Sequence, residues 1–355
     1  MLDIFELLKQ ASGQDASDVH ISVGVSPRFR IHGELVSTNF QKMTPSDTLE
    51  ILLNLMNHEQ REIFEEEGEI DLSVSIPKAG RYRVNAYKQR GSITLALRLV
   101  DMEIPDAKTL QIPDEVMNLC NEKRGLIMVT GPSGSGKSTV LASLIDRINR
   151  TRACNIITLE DPIEYLHQHK LSMVNQREVG LDAKKYETAL ASALKQDPDV
   201  LQISSPNTEE QATMMLMAAE TGRLVFSSMY SMSAVETIEN LIDLYPESRR
   251  IPARNRIANS LKAVVSRQLL TSTDGSRIPA YEIMIVDNKI RDIIRSGDIY
   301  MVNERIIAGK ARGMITMDDS LYRLCKEGKI SRLEAIQAAR DQENMDTRLQ
   351  NIEES

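Results

Sequence analysis

The residues best equipped for chemistry stand in one run, Gly131-Pro132-Ser133-Gly134-Ser135-Gly136-Lys137-Ser138-Thr139. It meets the pattern G-x-x-x-x-G-K-[ST] at every fixed position. Glycines let successive backbone N–H groups converge on one point, and a following helix adds the partial positive charge of its N-terminus. A lysine placed there reaches the outer phosphates of a nucleotide, and a serine hydroxyl ligates Mg²⁺. Gly131, Ser133, Gly134, Ser135, Gly136, Lys137, Ser138 and Thr139 are therefore the expected nucleotide-binding residues, with Ser138 the expected metal ligand. A glycine-rich turn without a ligand is the alternative, and the context argues against it. The apolar run Leu126-Ile127-Met128-Val129-Thr130 precedes the loop, and Val140, Leu141, Leu144, Ile145 and Ile148 follow at helical spacing.

Carboxylates are the second requirement. The run Ile156-Ile157-Thr158-Leu159 ends in Glu160 and Asp161, and a carboxylate at the C-terminal edge of a parallel sheet sits where ligands bind. Glu160 is the candidate to hold Mg²⁺ or orient water. Asp161 before Pro162 reads as a helix N-cap with proline at the first helical position. A nucleotide hydrolase usually carries a further carboxylate at the end of another strand. Here Val200-Leu201-Gln202-Ile203 runs into Ser204-Ser205-Pro206, and Gln202 interrupts the apolar run. Glu209 and Glu210 follow, in the expected first turn of the next helix. A positioned base is typically worth ~10²–10⁴-fold in rate. Nucleotide binding is thus expected to be intact and hydrolysis weak or absent.

These groups need a scaffold. The chain has 355 residues, enough for two domains, with 41% apolar and 26% charged residues as in ordinary soluble proteins. A net charge of -8, only 4% aromatics and no tryptophan argue against a nucleic-acid-binding surface. Cys120, Cys154 and Cys325 stand far apart, so neither a disulfide framework nor a zinc site is expected. MLDIFELLKQ reads as a short amphipathic helix rather than a signal peptide. No stretch approaches the ~18 apolar residues that span a bilayer, and a cytoplasmic chain is expected.

Residues 1–100 read as α+β. VHISVG and PRFRIHGEL resemble short strands, and a helix is expected from Thr44, its N-cap, to Gly68. Leu49, Leu52, Leu53 and Met56 would form its buried face. Three alternating segments follow as an antiparallel meander: IDLSVSIP with Ile70, Leu72, Val74 and Ile76 on one side, then, after a turn at 77–80, RYRVNAYKQ, then SITLALRL. Arg81, Arg83 and Asn85 alternate with Tyr82, Val84 and Ala86, so both guanidinium groups project from one polar face. Two such groups can clamp a phosphate; a solvated hairpin face is the plainer reading. Residues 101–113 carry two prolines and read as a linker. From 114 to 355, strands GLIMVTG, CNIITLED, DVLQIS, RLVFSSM and YEIMIV alternate with helices, as around a mostly parallel sheet. Beyond Asp287 the chain turns helical, with a frayed end from Asn344.

The motifs together resemble the type IV pilus retraction ATPases, the PilT-type branch of the type II/IV secretion ATPases, over nearly the whole length. The resemblance rests on ASDVHISVG, PRFRIHGEL and GRYRVNAYKQRG in the first half. GPSGSGKST, ITLEDPIEYLH, NQREVGLD, ALKQDPDV and SLKAVVSRQLL carry it in the second. KIRDIIRSGDI and GMITMDDSLYRL resemble the stretches that separate the retraction branch from the assembly branch, whose four-cysteine zinc motif is missing. The resemblance implies an α/β chain: a small α+β PAS-like N-terminal domain, then a RecA-like P-loop domain with a helical C-terminal part. It implies ATP and Mg²⁺ as ligands, a hexameric ring, and Arg81 and Arg83 approaching nucleotide at the junction of the two domains. A type IV pilus platform protein at the inner membrane is the implied partner, which places the chain at the cytoplasmic face of that membrane.

The pattern departs from the family at one place above all. Ser204 and Ser205 stand where the family carries Gly and its catalytic Glu, Asn207 and Thr208 where it carries Arg and Asp, and Arg223 and Tyr230 where it carries two histidines. Neither replacement can shuttle a proton near neutral pH, although Arg223 could still meet a phosphate. Two expectations stay open. One is an ATP-binding subunit with weak or absent hydrolysis, in a homohexamer or in a mixed ring with an active paralogue. The other is a competent motor relying on Glu160 or a displaced carboxylate. A small-molecule kinase would need an acceptor pocket and an Asp base to which nothing in the sequence points.

Overall fold

The computed structural model describes residues 3–14, 16–31, 33–76, 80–100 and 103–353. By its internal contacts the chain divides into two units. The first takes residues 1–103 with 164–166, and the second 104–163 with 167–355.

In the first unit, helix α1 (Ile4–Gly13) precedes β1 (Asp18–Ile21), β2 (Arg28–Ile31) and β3 (Glu34–Ser37). Helices α2 (Pro45–Leu55) and α3 (His58–Glu67) come next, then β4 (Glu69–Ile76), β5 (Gly80–Gln89) and β6 (Ser92–Val100). All six strands pair antiparallel in the order β3-β2-β1-β6-β5-β4. The expected meander is present, with Ile70, Leu72 and Ile76 buried on one face and Val74 half-buried. The turn expected at 77–80 falls mostly outside the described residues. Helix α1 buries Ile4, Leu7, Leu8 and Ala11, the stripe its spacing predicts.

Two details differ from the sequence reading. PRFRIHGEL is a hairpin of β2 and β3, with Gly33 taking φ 87° at the bend. The single helix expected over 44–68 is two. Met56 is extended, and Asn57 starts α3 with a reciprocal capping box: its side chain accepts from the Gln60 amide while the Gln60 side chain accepts from the Asn57 amide, both at 2.9 Å. Of the expected face, Leu52 and Met56 are buried, Leu53 is half-buried and Leu49 is exposed, while Thr48 and Ile51 turn inward instead.

The second unit opens with α4 (Asp114–Asn118), β7 (Gly125–Thr130), α5 (Lys137–Thr151), β8 (Asn155–Glu160) and β9 (Met173–Glu178). It continues through α6 (Tyr186–Ala193), β10 (Val200–Ile203), α7 (Glu209–Glu220), β11 (Leu224–Met229), α8 (Ala234–Asp243) and α9 (Arg250–Ser260). Strands β12 (Leu261–Thr271) and β13 (Arg277–Ile285) complete the sheet. Helices α10 (Asn288–Ser296), α11 (Val302–Ala308), α12 (Met317–Lys326), α13 (Arg332–Ala338) and α14 (Gln342–Glu353) follow. The strand order is β13-β12-β7-β11-β10-β8-β9, parallel except for the β12–β13 pair.

Both faces of this sheet are covered. Helix α5 packs Val140, Leu141, Leu144, Ile145 and Ile148 against Ile127, Val129, Ile156 and Phe226 on one side. Helices α6 to α10 cover Leu126, Met128, Leu159 and Leu201 on the other. Each such side chain is worth roughly 1.5–3 kcal/mol on burial, so packing rather than helix propensity fixes the register of α5 behind the loop.

Strands β9 and β12 were not foreseen. No helix begins at Asp161: residues 161–172 form bends and loops, because Glu178, and not a helical turn, takes the Ile163 amide. Of the end expected to fray from Asn344, residues 344–353 belong to helix α14 and 354–355 lie outside the described residues. Met345 and Leu349 are buried with Leu321, Leu324 and Ala335.

Candidate phosphate-loop site

Strand β7 ends at Thr130, α5 begins at Lys137, and the six residues between form the loop. Gly131, Gly134 and Gly136 take φ of 146°, 75° and 82°, which side-chain-bearing residues rarely adopt. Space is equally restrictive. A Cβ on Gly131 would lie 2.2 Å from the Arg267 carbonyl oxygen, and one on Gly136 2.3 Å from Arg267 Nη1. Backbone blocks a side chain at Gly131, and one at Gly136 would have to displace the Arg267 guanidinium as well as adopt a strained φ. Ser133 and Gly134 are exposed at the crest, Ser138 and Thr139 are half-buried, and Ser135 is buried with its Oγ unpartnered. All eight expected loop residues thus fall together.

Lys137 is buried and turns back on the loop, donating to the carbonyls of Gly131 and Pro132 at 2.9 Å each. Its ammonium also lies 4.1 Å from the ring centroid of Tyr230, just past the end of β11. Tyr230 and Lys137 belong together for a topological reason: β11 lies beside β7, with Met229 level with Thr130. Arg223 is at the other end of β11, where its carbonyl takes the Gly125 amide at 2.9 Å. The six residues of β11 separate it from this chain's loop, roughly 20 Å. The expectation that Arg223 could meet a phosphate here is not met.

Glu160 closes β8. Its Oε1 accepts from Thr158 Oγ1 at 2.6 Å and from Gln176 Nε2 at 3.0 Å. Gln176 in turn accepts from the His167 amide at 2.7 Å, so the carboxylate is held by a short chain of donors. Strand β10 ends beside it. Val200 packs in the α5 core while Leu201 and Ile203 enter the opposite one, so alternation puts Gln202 on the α5 side. Gln202 is buried and its Oε1 has no partner among the described residues. Ser204 donates through Oγ to the Leu159 carbonyl; Ser205 is half-buried and no carboxylate follows before Glu209. Glu209 is held by Arg249 at 2.6 Å and Glu210 is exposed.

In the first unit, Arg81 and Arg83 lie on the polar face of β5 while Tyr82, Val84 and Ala86 are buried, as alternation predicts. Arg83 is level with Arg98 of β6, which is paired to Asp18 at 2.8 Å.

One residue of the loop's surroundings escaped the sequence reading. Arg267 on β12 is buried on the face that also carries Ala263 and Val265, and its Nη1 donates to the Gly136 carbonyl at 3.1 Å. A lone charge in the period-2 apolar pattern of Ala263-Val264-Val265-Ser266-Arg267 was the available signal.

A doubly covered, mostly parallel sheet with a glycine loop between β7 and α5 defines a RecA-like P-loop nucleotide-binding domain, here preceded by an α+β unit. The chain belongs to the family described as type II/IV secretion system protein, whose model matches residues 2–333. It is 37% identical over 343 residues to the type IV pilus retraction ATPase PilT of Pseudomonas aeruginosa, covering 97% of this chain and all of that one. It is 35% identical over 343 residues to a twitching motility protein of Neisseria gonorrhoeae, covering 96% and 92% of the two chains. Among solved structures it resembles the pilus retraction motor PilT with bound ADP, with a TM-score of 0.90 and 40% identity over 97% of this chain and 99% of the other. Among the described residues no helix is long and apolar enough to cross a membrane.

Proposed function

We propose that this chain is an ATP-binding subunit of a hexameric type IV pilus retraction machine, with weak or absent hydrolysis and an accessory or regulatory role. One observation carries the reading. The phosphate loop is complete, while β10 runs into Ser204-Ser205 where a catalytic carboxylate is required. ATP fits the residues present, since the cradle at Gly131 and Gly136 leaves no free space for a side chain and the buried Ser135 Oγ lacks a partner. Mg²⁺ would be held by the Ser138 hydroxyl and would neutralise phosphate charge when bound. Lys137 would exchange its two carbonyl bonds for phosphate oxygens, and Arg81 and Arg83 would clamp the nucleotide from the N-terminal domain. Residues 101–113 would serve as the linker between domains. The ring would be homomeric or mixed with an active paralogue and would act on a platform protein at the inner membrane, from the cytoplasm.

A second reading is favoured by a separate observation: Glu160 is oriented by Thr158 and Gln176 at the edge where ligands bind. On that reading the chain is a competent motor and Glu160 positions the attacking water. Single-turnover phosphate release separates the two. The first predicts that the wild-type protein binds ATP yet matches Lys137→Ala in phosphate release, and that Ser205→Glu gains ~10²-fold or more. Wild-type turnover near one per second (the lower end of ordinary enzymes, about 1–10³ per second), abolished by Glu160→Gln, would establish the second instead.

A further inference from the structure

We propose that Arg267 is a second cation of the phosphate site, bracing the loop from behind and contributing a positive charge that only the nucleotide's phosphates neutralise. The inference rests on the nucleotide-binding reading above. Strand β12 runs parallel beside β7, with Ser266 level with Thr130 and their hydroxyls 2.8 Å apart. Residue 267 therefore arrives level with the first glycine of the loop. Its carbonyl oxygen excludes a Cβ at Gly131, and its guanidinium occupies the space a Cβ would take at Gly136. A single residue thus touches both ends of the loop, one through its main chain and the other through its side chain.

Bracing alone does not require a charge. Arg267 is 4% exposed, and among the described residues no carboxylate lies within ion-pair distance of it. Its Nε is buried without a hydrogen-bond partner. The Tyr281 ring, 5.7 Å from the guanidinium carbon, offers partial compensation, and the Tyr281 hydroxyl is itself buried and unpartnered. A buried ion without a counter-ion is costly, whereas a neutral donor would reach Gly136 without that cost. Buried charges are normally paired, so the missing countercharge belongs to a ligand. The group that the loop is shaped to receive is a phosphate chain.

The test combines nucleotide titration with thermal melting of the full chain, using Mg-ADP and Mg-ATP as probes. Arg267→Met and Arg267→Gln are expected to bind roughly ten- to thirtyfold more weakly, the order for one partly shielded unit charge at an effective dielectric of about 20. Their nucleotide-free melting temperature should equal or exceed that of the wild type, because the uncompensated charge is gone. Arg267→Lys should regain most of the affinity. Affinity within about twofold of wild type in both neutral variants, less than ~0.5 kcal/mol, would overturn the proposal. So would a lowered nucleotide-free melting temperature in both without recovery by Arg267→Lys, since that is the signature of a brace alone. If the wild-type protein itself binds neither nucleotide, the underlying reading of the site fails and this inference fails with it.

Discussion

The ammonium of Lys137 lies 4.1 Å from the ring centroid of Tyr230 while donating to two carbonyls of its own loop. Before any phosphate arrives, the lysine is already engaged. A cation over an exposed aromatic face is worth about 0.5–1 kcal/mol, and Tyr230 is 68% exposed. Phosphate must displace that contact, so Tyr230→Leu should bind ADP about two- to fivefold more tightly, with Tyr230→Phe unchanged. Equilibrium titration with a fluorescent ADP reads the difference. Weaker binding in Tyr230→Leu would mean that the ring touches the nucleotide itself.

A single buried carboxylate joins two helices. Glu282 of β13 is 2% exposed; its Oε1 accepts from the Ala234 amide at the start of α8, and its Oε2 from the Met317 amide at the start of α12. Burial raises its pKa, opposed by the Ala234 and Met317 amides and by Arg340, and the ionised form is favourable to both helix N-termini. Glu282→Gln keeps one acceptor and loses the charge, and should cost about 1–3 kcal/mol, the price of one buried unmade bond. Urea unfolding at neutral pH measures it. An unchanged midpoint would show that Ser233 and Thr316, which cap the same helices, suffice.

Acid should loosen the support of Glu160. Burial pushes His167 down to about 4; nearby Asp146 opposes this and Lys170 adds to it. An unfolded histidine titrates near 6.5, so the folded state binds fewer protons between these values. The neutral imidazole therefore contributes stability that is complete above about pH 6.5 and is lost as pH falls toward 4, on the order of 3 kcal/mol in total. His167 lies on the segment whose amide holds Gln176, and Gln176 holds Glu160. Melting temperature should therefore fall across pH 6.5 to 4 in the wild type. In His167→Gln that part of the slope should be absent. An identical slope would assign the acid sensitivity to other groups.

The legible parts of this protein are those written in local spacing. The phosphate loop follows from three glycines, a lysine and a serine whose φ angles and steric limits are local demands, and α5 follows from five apolar residues at helical period. Elements set by distant partners were missed. The break between α2 and α3 is an exception, a local Asn57–Gln60 exchange that an otherwise helical pattern masks. Strand β9, Met173–Glu178, buries only Val174 and Glu178, a single apolar residue among polar neighbours, because it is a sheet edge and needs one apolar contact face less. Helix α14 looked too polar to order, yet Met345 and Leu349 are enough once α12 and α13 supply the other side. Arg267 was invisible for the same reason: its meaning lies in Gly131 and Gly136, more than a hundred residues earlier.

Asp287 ties the helical C-terminal part to the end of the sheet, and its removal gives a further expectation. Its Oδ1 caps α10 by accepting from the Ile290 amide at 2.8 Å. Its Oδ2 accepts from Arg305 at 2.8 Å and Arg312 at 2.6 Å. Burial alone would raise its pKa, but the Arg305 bond, the Ile290 amide and Arg312 outweigh it and hold the carboxyl well below the usual range. The sign follows: the group's stabilisation is complete above the unfolded carboxylate value near 4 and is lost as the solution becomes more acidic. Asp287→Asn keeps the cap and removes the charge, leaving half-buried Arg305 and exposed Arg312 without their carboxylate, and should cost about 1–2 kcal/mol. Asp287→Ala also loses the cap, worth about 1 kcal/mol more. Thermal melts at pH 7 should therefore rank wild type above Asp287→Asn above Asp287→Ala, with nucleotide affinity unchanged because Asp287 lies outside the loop and its supports. Equal melting of the two variants would mean that the arginine pairs, rather than the cap, carry the whole effect.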